Sequence, residues 1–463
     1  MTRRDLLRSA WFVPAAAAAQ GVAPQPLNRN QRMAWWREAR FGMFLHWGLY
    51  SALGGEWKGR DYGKEMGGAS AEWIMLSANI PREEYAALAK DFNPVDFTPF
   101  EWVKAARAAG MRYMVITAKH HDGFSMFRTK MTPYNIVDAT PFKRDPIKEL
   151  AEECSRQGMR FGVYYSHSRD WYHRKPVRSD PDPPSRQYVD FVKGQLRELL
   201  TNYGPLGVLW FDGGDQFAEI NTEYGKLVRE MQPNCLIGGR LGAREGFSDY
   251  VEEADRQIPG RRVAGDVETP MTMRDNWGFD RDDNHWKSGA ELLQRLSLTV
   301  CRGANFLLNV GPTAAGMFTR EETGTLSSIG RWMTRNYEAV TATTGSPFDY
   351  DFEWGSLVQK NDRLFLHVLK WSPDGIAFDG LRTRVRRGFL LTDSGAAVGV
   401  QQQGSHVNVL APYKPSEGDE PAIIGLELDG PVAIDPAARG TYHWKKDTGI
   451  RLDQEKIAKQ RGK

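Results

Sequence analysis

From about position 32 to 340, short apolar runs alternate with stretches of helical period, and this rhythm restricts the chain to a parallel sheet whose crossovers are helices. The runs predicted as strands are 41–47, 113–121, 161–166, 208–212, 235–240, 263–268 and 305–310. Helices are predicted between them, for instance over 98–109, 145–157 and 288–301, and Gly110 and Gly158 stand where helix C-termini hand over to strands. The position of an eighth strand stays open. The expected architecture is therefore α/β, a (β/α)8-like and possibly irregular barrel. From Ser346 the pattern changes to alternating strands and turns, as in Arg363 to Val368, which predicts an antiparallel β-sandwich. The expected divisions are 1–25, 26–345 and 346–463.

A chain of 463 residues with 41% apolar and 26% charged content can bury a large core. Its 61 basic and 58 acidic residues leave a net charge of +3, with no single-sign block to bind nucleic acid or a membrane surface. Arg3 and Arg4, followed by an apolar stretch from Ala10 to Ala19 that is too short to span a bilayer, read as a twin-arginine export signal. The expected destination is the periplasm or the exterior of a bacterium. Three cysteines, Cys154, Cys235 and Cys301, have no CxxC spacing and indicate neither a disulfide framework nor a zinc site.

Within this frame one pentapeptide carries the chemistry. Leu209 to Gly213 reads LWFDG and puts Asp212 at the tip of a buried strand, where barrel enzymes hold their reacting groups. Strand parity places Trp210 on the same face, so a ring would lie beside a carboxylate, as suits attack on the anomeric carbon of a sugar. Other predicted tips also end in polar or aromatic residues: His46-Trp47, His120-His121, Tyr164-Tyr165-Ser166-His167 and Gly239-Arg240. A barrel without chemistry has no need to gather four of nine histidines at the ends of three strands. A metal centre is the competing reading of the His120-His121 pair. It is disfavoured because zinc sites on strands use His-x-His, whose members share a face, whereas adjacent residues diverge.

The segments YMVITAKHHDGFSMF, PFKRDPIKELAEECSRQGMRFGVYYS and FLLNVGPTAAGMFTREET, with HWGLYS at His46, AEWI at Ala71, LWFDGG and ETPMTMRDNWGF at Glu268, resemble glycoside hydrolase family 29, the α-L-fucosidases. The likeness runs from about Arg32 to Thr344, and RLFLHVLKWSPDG resembles that family's C-terminal β-domain. It implies a retaining exo-hydrolase that removes terminal fucose from glycans without metal or cofactor, with Asp212 as nucleophile. The second carboxyl, about 5 to 5.5 Å away in such a mechanism, is expected to be Glu268, with Asp266 and Glu72 as rivals. Sugar recognition is expected from His46, His120, His121, Tyr165 and Arg240, with Trp73, Trp210 and Trp277 as rings and Glu72 as a hydroxyl acceptor. Imidazoles suit the fucose hydroxyls and rings suit its C6 methyl. Asn309, in LLNVGP, is expected to shape a strand-to-loop turn. Tyr337 and Phe279 depart from the family's usual residues, which touches subsite detail and not the reaction type.

Overall fold

A computed structural model describes residues 25–65, 71–214, 216–242, 247–391 and 396–438. Eight parallel strands form the curled sheet of the barrel: β1 (Phe41–Leu45), β2 (Tyr113–Lys119), β3 (Arg160–Ser166), β4 (Val208–Asp212), β5 (Leu236–Ile237), β6 (Val251–Glu252), β7 (Val267–Thr272) and β8 (Asn305–Val310). Their order across the sheet is β5-β4-β3-β2-β1-β8-β7-β6. The missing eighth strand is thus β6, only two residues long. Between the two short edge strands the seam is held by Asp249 N–H on the Ile237 carbonyl at 2.8 Å and by Gly239 N–H on Glu252 Oε1 at 3.1 Å.

Helices cover the outside. Among them, α1 (Arg29–Ala39) precedes β1, α2 (Pro99–Ala108) precedes β2, α3 (Pro146–Gln157) precedes β3, and α4 (Arg186–Asn202) precedes β4. Asp145 caps α3 through Lys148 N–H, and Gly158 closes it at φ 68°, a left-handed conformation that glycine enters without steric cost. The strands are buried on both faces, as a sheet wrapped by helices requires. Inside the barrel Phe44, Tyr113, Val115, Tyr164, Val208, Trp210, Leu236 and Leu307 form one cluster, sealed at the N-terminal end by Met33, Trp36 and Ala39 of α1. The barrel is therefore filled at its floor and open only at the strand C-termini.

Seven antiparallel strands follow: β9 (Gly355–Lys360), β10 (Arg363–Val368), β11 (Ile376–Phe378), β12 (Val385–Leu390), β13 (Ala397–Gln403), β14 (His406–Leu410) and β15 (Ala422–Leu428), in the order β9-β10-β15-β12-β13-β14-β11. Period-two alternation on β10 divides its side chains. Leu364, Leu366 and Val368 enter the core of the β-domain, whereas Phe365 joins the cluster of the barrel and its helices. His367 shares the barrel side and reaches Ser297 Oγ at 3.0 Å on α5 (Gly289–Cys301) and the Ala339 carbonyl at 3.1 Å.

Two boundaries differ from expectation. The strand predicted at 235–240 stops at Ile237, because Gly239 to Leu241 turns into a 3₁₀ helix. The strand predicted at 263–268 begins only at Val267 and runs on to Thr272. Pro270 inside it is tolerated because β6 pairs only with Val267 and Glu268, so the ladder on that side has already ended. All three cysteines are buried and unbridged. Residues 1–24, which carry the expected export signal, lie outside the described residues. No helix among the described residues is long and apolar enough to cross a membrane.

Candidate active site

Asp212 is the last residue of β4, and its side chain keeps 17% exposure at the open end of the barrel. Tyr164, in register with Trp210 on the neighbouring strand, donates its hydroxyl to Asp212 Oδ2 at 2.8 Å. Arg240 NH1 stands 3.7 Å from Oδ1, and His121 Nε2 stands 3.6 Å from Oδ2. Burial pushes this carboxyl up, but the positive charges of Arg240 and Arg169 and the Tyr164 hydroxyl together hold it below the usual range. The result is a carboxylate kept ionised and partly desolvated, as a nucleophile needs.

The histidines are held in fixed roles. Asn309 donates its amide to the Trp277 carbonyl at 2.7 Å, so its oxygen is the atom that meets His46 Nδ1 at 2.7 Å. His46 Nδ1 must then carry the proton, which leaves Nε2 as an acceptor. Burial lowers the His46 pKa to about 4 and keeps the ring neutral. His121 follows the same logic: Ser166 Oγ donates to the Arg169 carbonyl at 2.8 Å and so accepts from His121 Nδ1 at 2.7 Å. His120 stacks on Tyr164 with centroids 5.3 Å apart, and its Nδ1 is buried with no hydrogen-bond partner among the described residues. Around them Phe44, His46, Tyr164 and Trp277 form an aromatic wall, with Trp277 5.1 Å from His46 and 6.1 Å from Phe44.

Glu72 belongs to this end as well. It is 1% exposed, accepts from Gly278 N–H at 3.0 Å, and is raised by burial to about 7. Trp73 beside it meets His121 edge-on at 5.1 Å.

Four residues are not where the sequence reading put them. Glu268 does not face Asp212. It is the second residue of β7, wholly buried, and its oxygens accept from Tyr113 at 2.6 Å, Trp210 Nε1 at 2.9 Å and Trp36 Nε1 at 3.3 Å. Tyr113 opens β2 and Trp36 lies on α1, so this carboxyl sits in the layer beneath the mouth. Its rival Asp266 is further out still, ion-paired with Arg29 and Arg37 of α1 at 2.7 Å each. Tyr165 points away from the barrel interior and donates to Gln195 Oε1 on α4 at 2.7 Å; Tyr164 takes the inward position. Trp210 is 1% exposed and lies under the Arg240 guanidinium, 4.7 Å from its centroid, so it carries Arg240 and is no open sugar platform.

One acid that sequence reasoning missed does reach the mouth. Asp255, on the loop after β6, accepts a charge-assisted hydrogen bond from Arg240 NH2, while NH1 of the same guanidinium faces Asp212. Its only sequence signal is the acid-rich EEAD stretch following a strand too short to recognise.

A sequence profile of the family described as alpha-L-fucosidase matches residues 13–338. This chain belongs to the α-L-fucosidase family. It is a glycoside hydrolase of that family, 31% identical over 379 residues to human plasma alpha-L-fucosidase, covering 77% of this chain and 80% of that protein. The alpha-L-fucosidase of Vibrio sp. strain EJY3 superposes with a TM-score of 0.79 at 34% identity, over 88% of this chain and 76% of that one. A fucosidase from Bacteroides thetaiotaomicron, trapped as a covalent intermediate with 2-fluoro-fucosyl fluoride, superposes with a TM-score of 0.78 at 29% identity, over 88% and 98%.

Proposed function

We propose that this fucosidase is an exo-acting enzyme that hydrolyses terminal α-L-fucosyl linkages of glycans with retention, Asp212 attacking the anomeric carbon. The observation that carries the reading is a single guanidinium, Arg240, held between two carboxylates at the open end of the barrel. One is the desolvated Asp212, the other Asp255 on a solvent-facing loop. Double displacement requires one carboxylate to form the glycosyl ester and a second group to protonate the departing oxygen and then deprotonate water. Asp255 is the acid/base in this proposal, in place of Glu268, whose lone pairs are spent on indole and phenol donors. His46 Nε2 and the unpartnered His120 Nδ1 serve the ring hydroxyls. Phe44 and Trp277 offer the apolar wall for the C6 methyl. Residues 1–24 are proposed as the export signal; deleting them is expected to keep the enzyme active but inside the cell, which fractionation checks.

The decisive experiment follows the anomer formed. The enzyme is expected to release phenol well from an aryl α-L-fucoside and poorly from its β-anomer, with α-fucose appearing first by NMR; β-fucose as first product refutes retention. Asp212→Gly is expected to lose turnover and to regain part of it with azide, giving the β-fucosyl azide. Asp255→Ala is expected to slow aryl fucosides with poor leaving groups far more than activated ones, and equal loss on both would move the acid role to Glu72.

A further inference from the structure

The loop from Ser168 to Asp182, between β3 and α4, carries more positive charge than its own acids neutralise. Asp170 is paired with Lys119 at 2.8 Å and with His173, Asp180 with Arg174 at 2.9 Å, and Asp182 with Lys175. Arg169 and Arg178 remain. Among the described residues neither guanidinium has a carboxylate within 4.0 Å; Arg169 NH1 instead donates to His121 Nε2 at 3.4 Å and lends its charge to Asp212. The two are tied together, Arg169 Nε donating to the Arg178 carbonyl at 2.9 Å. Both lie against the Trp73 ring, at 5.3 and 5.5 Å from its centroid.

Arg169 borders the mouth beside His121, and Arg178 extends from it over Trp73 as an exposed side chain. Arg169 lines a cleft that runs past Gly213 and Gly214, directly beyond Asp212; the cleft's two carboxylates, Asp170 and Asp180, are each taken up by a cation, Lys119 and Arg174. Two guanidinium groups on an aromatic platform, with no ion-paired carboxylate of their own among the described residues, suit an oxyanion in charge and in planar geometry. We infer that Arg169 and Arg178 on Trp73 form a subsite for a sulfate or carboxylate carried by the sugar from which fucose is removed. This rests on the fucosidase reading of the adjoining site and adds a substrate class to it.

The test compares three substrates: a neutral fucosyl-galactose, the same disaccharide sulfated on galactose, and the same disaccharide sulfated on fucose. The galactose-sulfated one is expected to show a kcat/KM about tenfold above the neutral one, mainly through KM, as one charge-assisted contact provides. That advantage should shrink in 0.5 M NaCl, about the concentration range where exposed charges are strongly screened. Arg178→Gln should erase it and leave hydrolysis of a neutral aryl fucoside unchanged. An advantage for the fucose-sulfated substrate that Arg178→Gln erases would keep the oxyanion site and assign it to the ring. No advantage for either sulfated substrate, or one that survives Arg178→Gln, overturns the inference. If even the neutral aryl fucoside is not turned over, the fucosidase reading has failed separately. Calorimetric titration with galactose 6-sulfate then decides the subsite: binding lost in Arg178→Gln supports it, and no binding overturns it.

Discussion

Two acids of this chain, Asp212 and Glu268, show how surroundings assign a carboxyl its work. Asp212 has the charges of Arg240 and Arg169 and one phenol donor, so it stays ionised with a face open to the mouth. Glu268 is raised by burial and surrounded by donors that use its lone pairs. Replacing Glu268 by Gln puts an amide N–H against an indole or phenol donor. This is expected to cost about 1 to 3 kcal/mol of stability in denaturant melts, the penalty of a buried unpaired polar group. The dependence of rate on leaving group should stay that of the parent enzyme, in contrast to Asp255→Ala. Glu72 gives a pH prediction. Raised by burial to about 7, it should contribute a titration near neutrality to kcat/KM that vanishes in Glu72→Gln. The choice of Tyr164 over Tyr165 was not legible, because a strand buried on both faces shows no polar alternation to say which face is inward.

At the scale of elements, the misplacement of Glu268 comes from one strand boundary. An apolar run ending at 268 puts that acid at a strand tip and therefore in the mouth. A strand beginning at Val267 puts the same acid at the floor. Pro270 argues against a strand interior when read alone, and only the early end of β6 makes it harmless. Elements with strong end signals were legible: the helices expected over 145–157 and 288–301 form, and the structure shows Asp145 and Ser288 capping them. The buried pair Lys119 and Asp170 fixes the loop that also places Arg169, since Trp171 N–H donates to the His121 carbonyl at 2.7 Å. Burial pushes Asp170 up, but Lys119 and His173 pull it further down, to well below the carboxylate range. Lys119→Met leaves that buried carboxylate only His173 and the Tyr188 hydroxyl in place of the ammonium and is expected to cost about 3 kcal/mol. Thermal unfolding would reveal the loss, and KM should rise as the His121 loop loosens. Helix α1, which plugs the barrel floor, begins with a capping box of Asn28 and Gln31. Asn28→Ala is expected to cost about 1 kcal/mol.

For the whole molecule, burial of histidine sets the response to acid. His46, His167 and His367 are each lowered to about 4 from an ordinary 6.5. Between those pH values the unfolded chain binds protons that the folded chain refuses, so stability falls as pH drops through the window, by up to about 3 kcal/mol per residue. His367 joins the β-domain to the barrel, so its protonation would break contacts to Ser297 and Ala339 together. The midpoint of thermal unfolding is expected to fall between pH 6.5 and 4, and less steeply in His367→Gln. By itself the sequence determined the βα rhythm, the antiparallel domain after it, the family and the position of Asp212 at a strand tip, because each is written in local periodicity or in contiguous motifs. Which acid shares Arg240 with Asp212, which tyrosine turns inward and which arginines have no carboxylate beside them among the described residues were decided only by the tertiary structure. Strand register, and the charge pairing between loops far apart in the chain, follow from how the barrel closes, and no local stretch of residues encodes that.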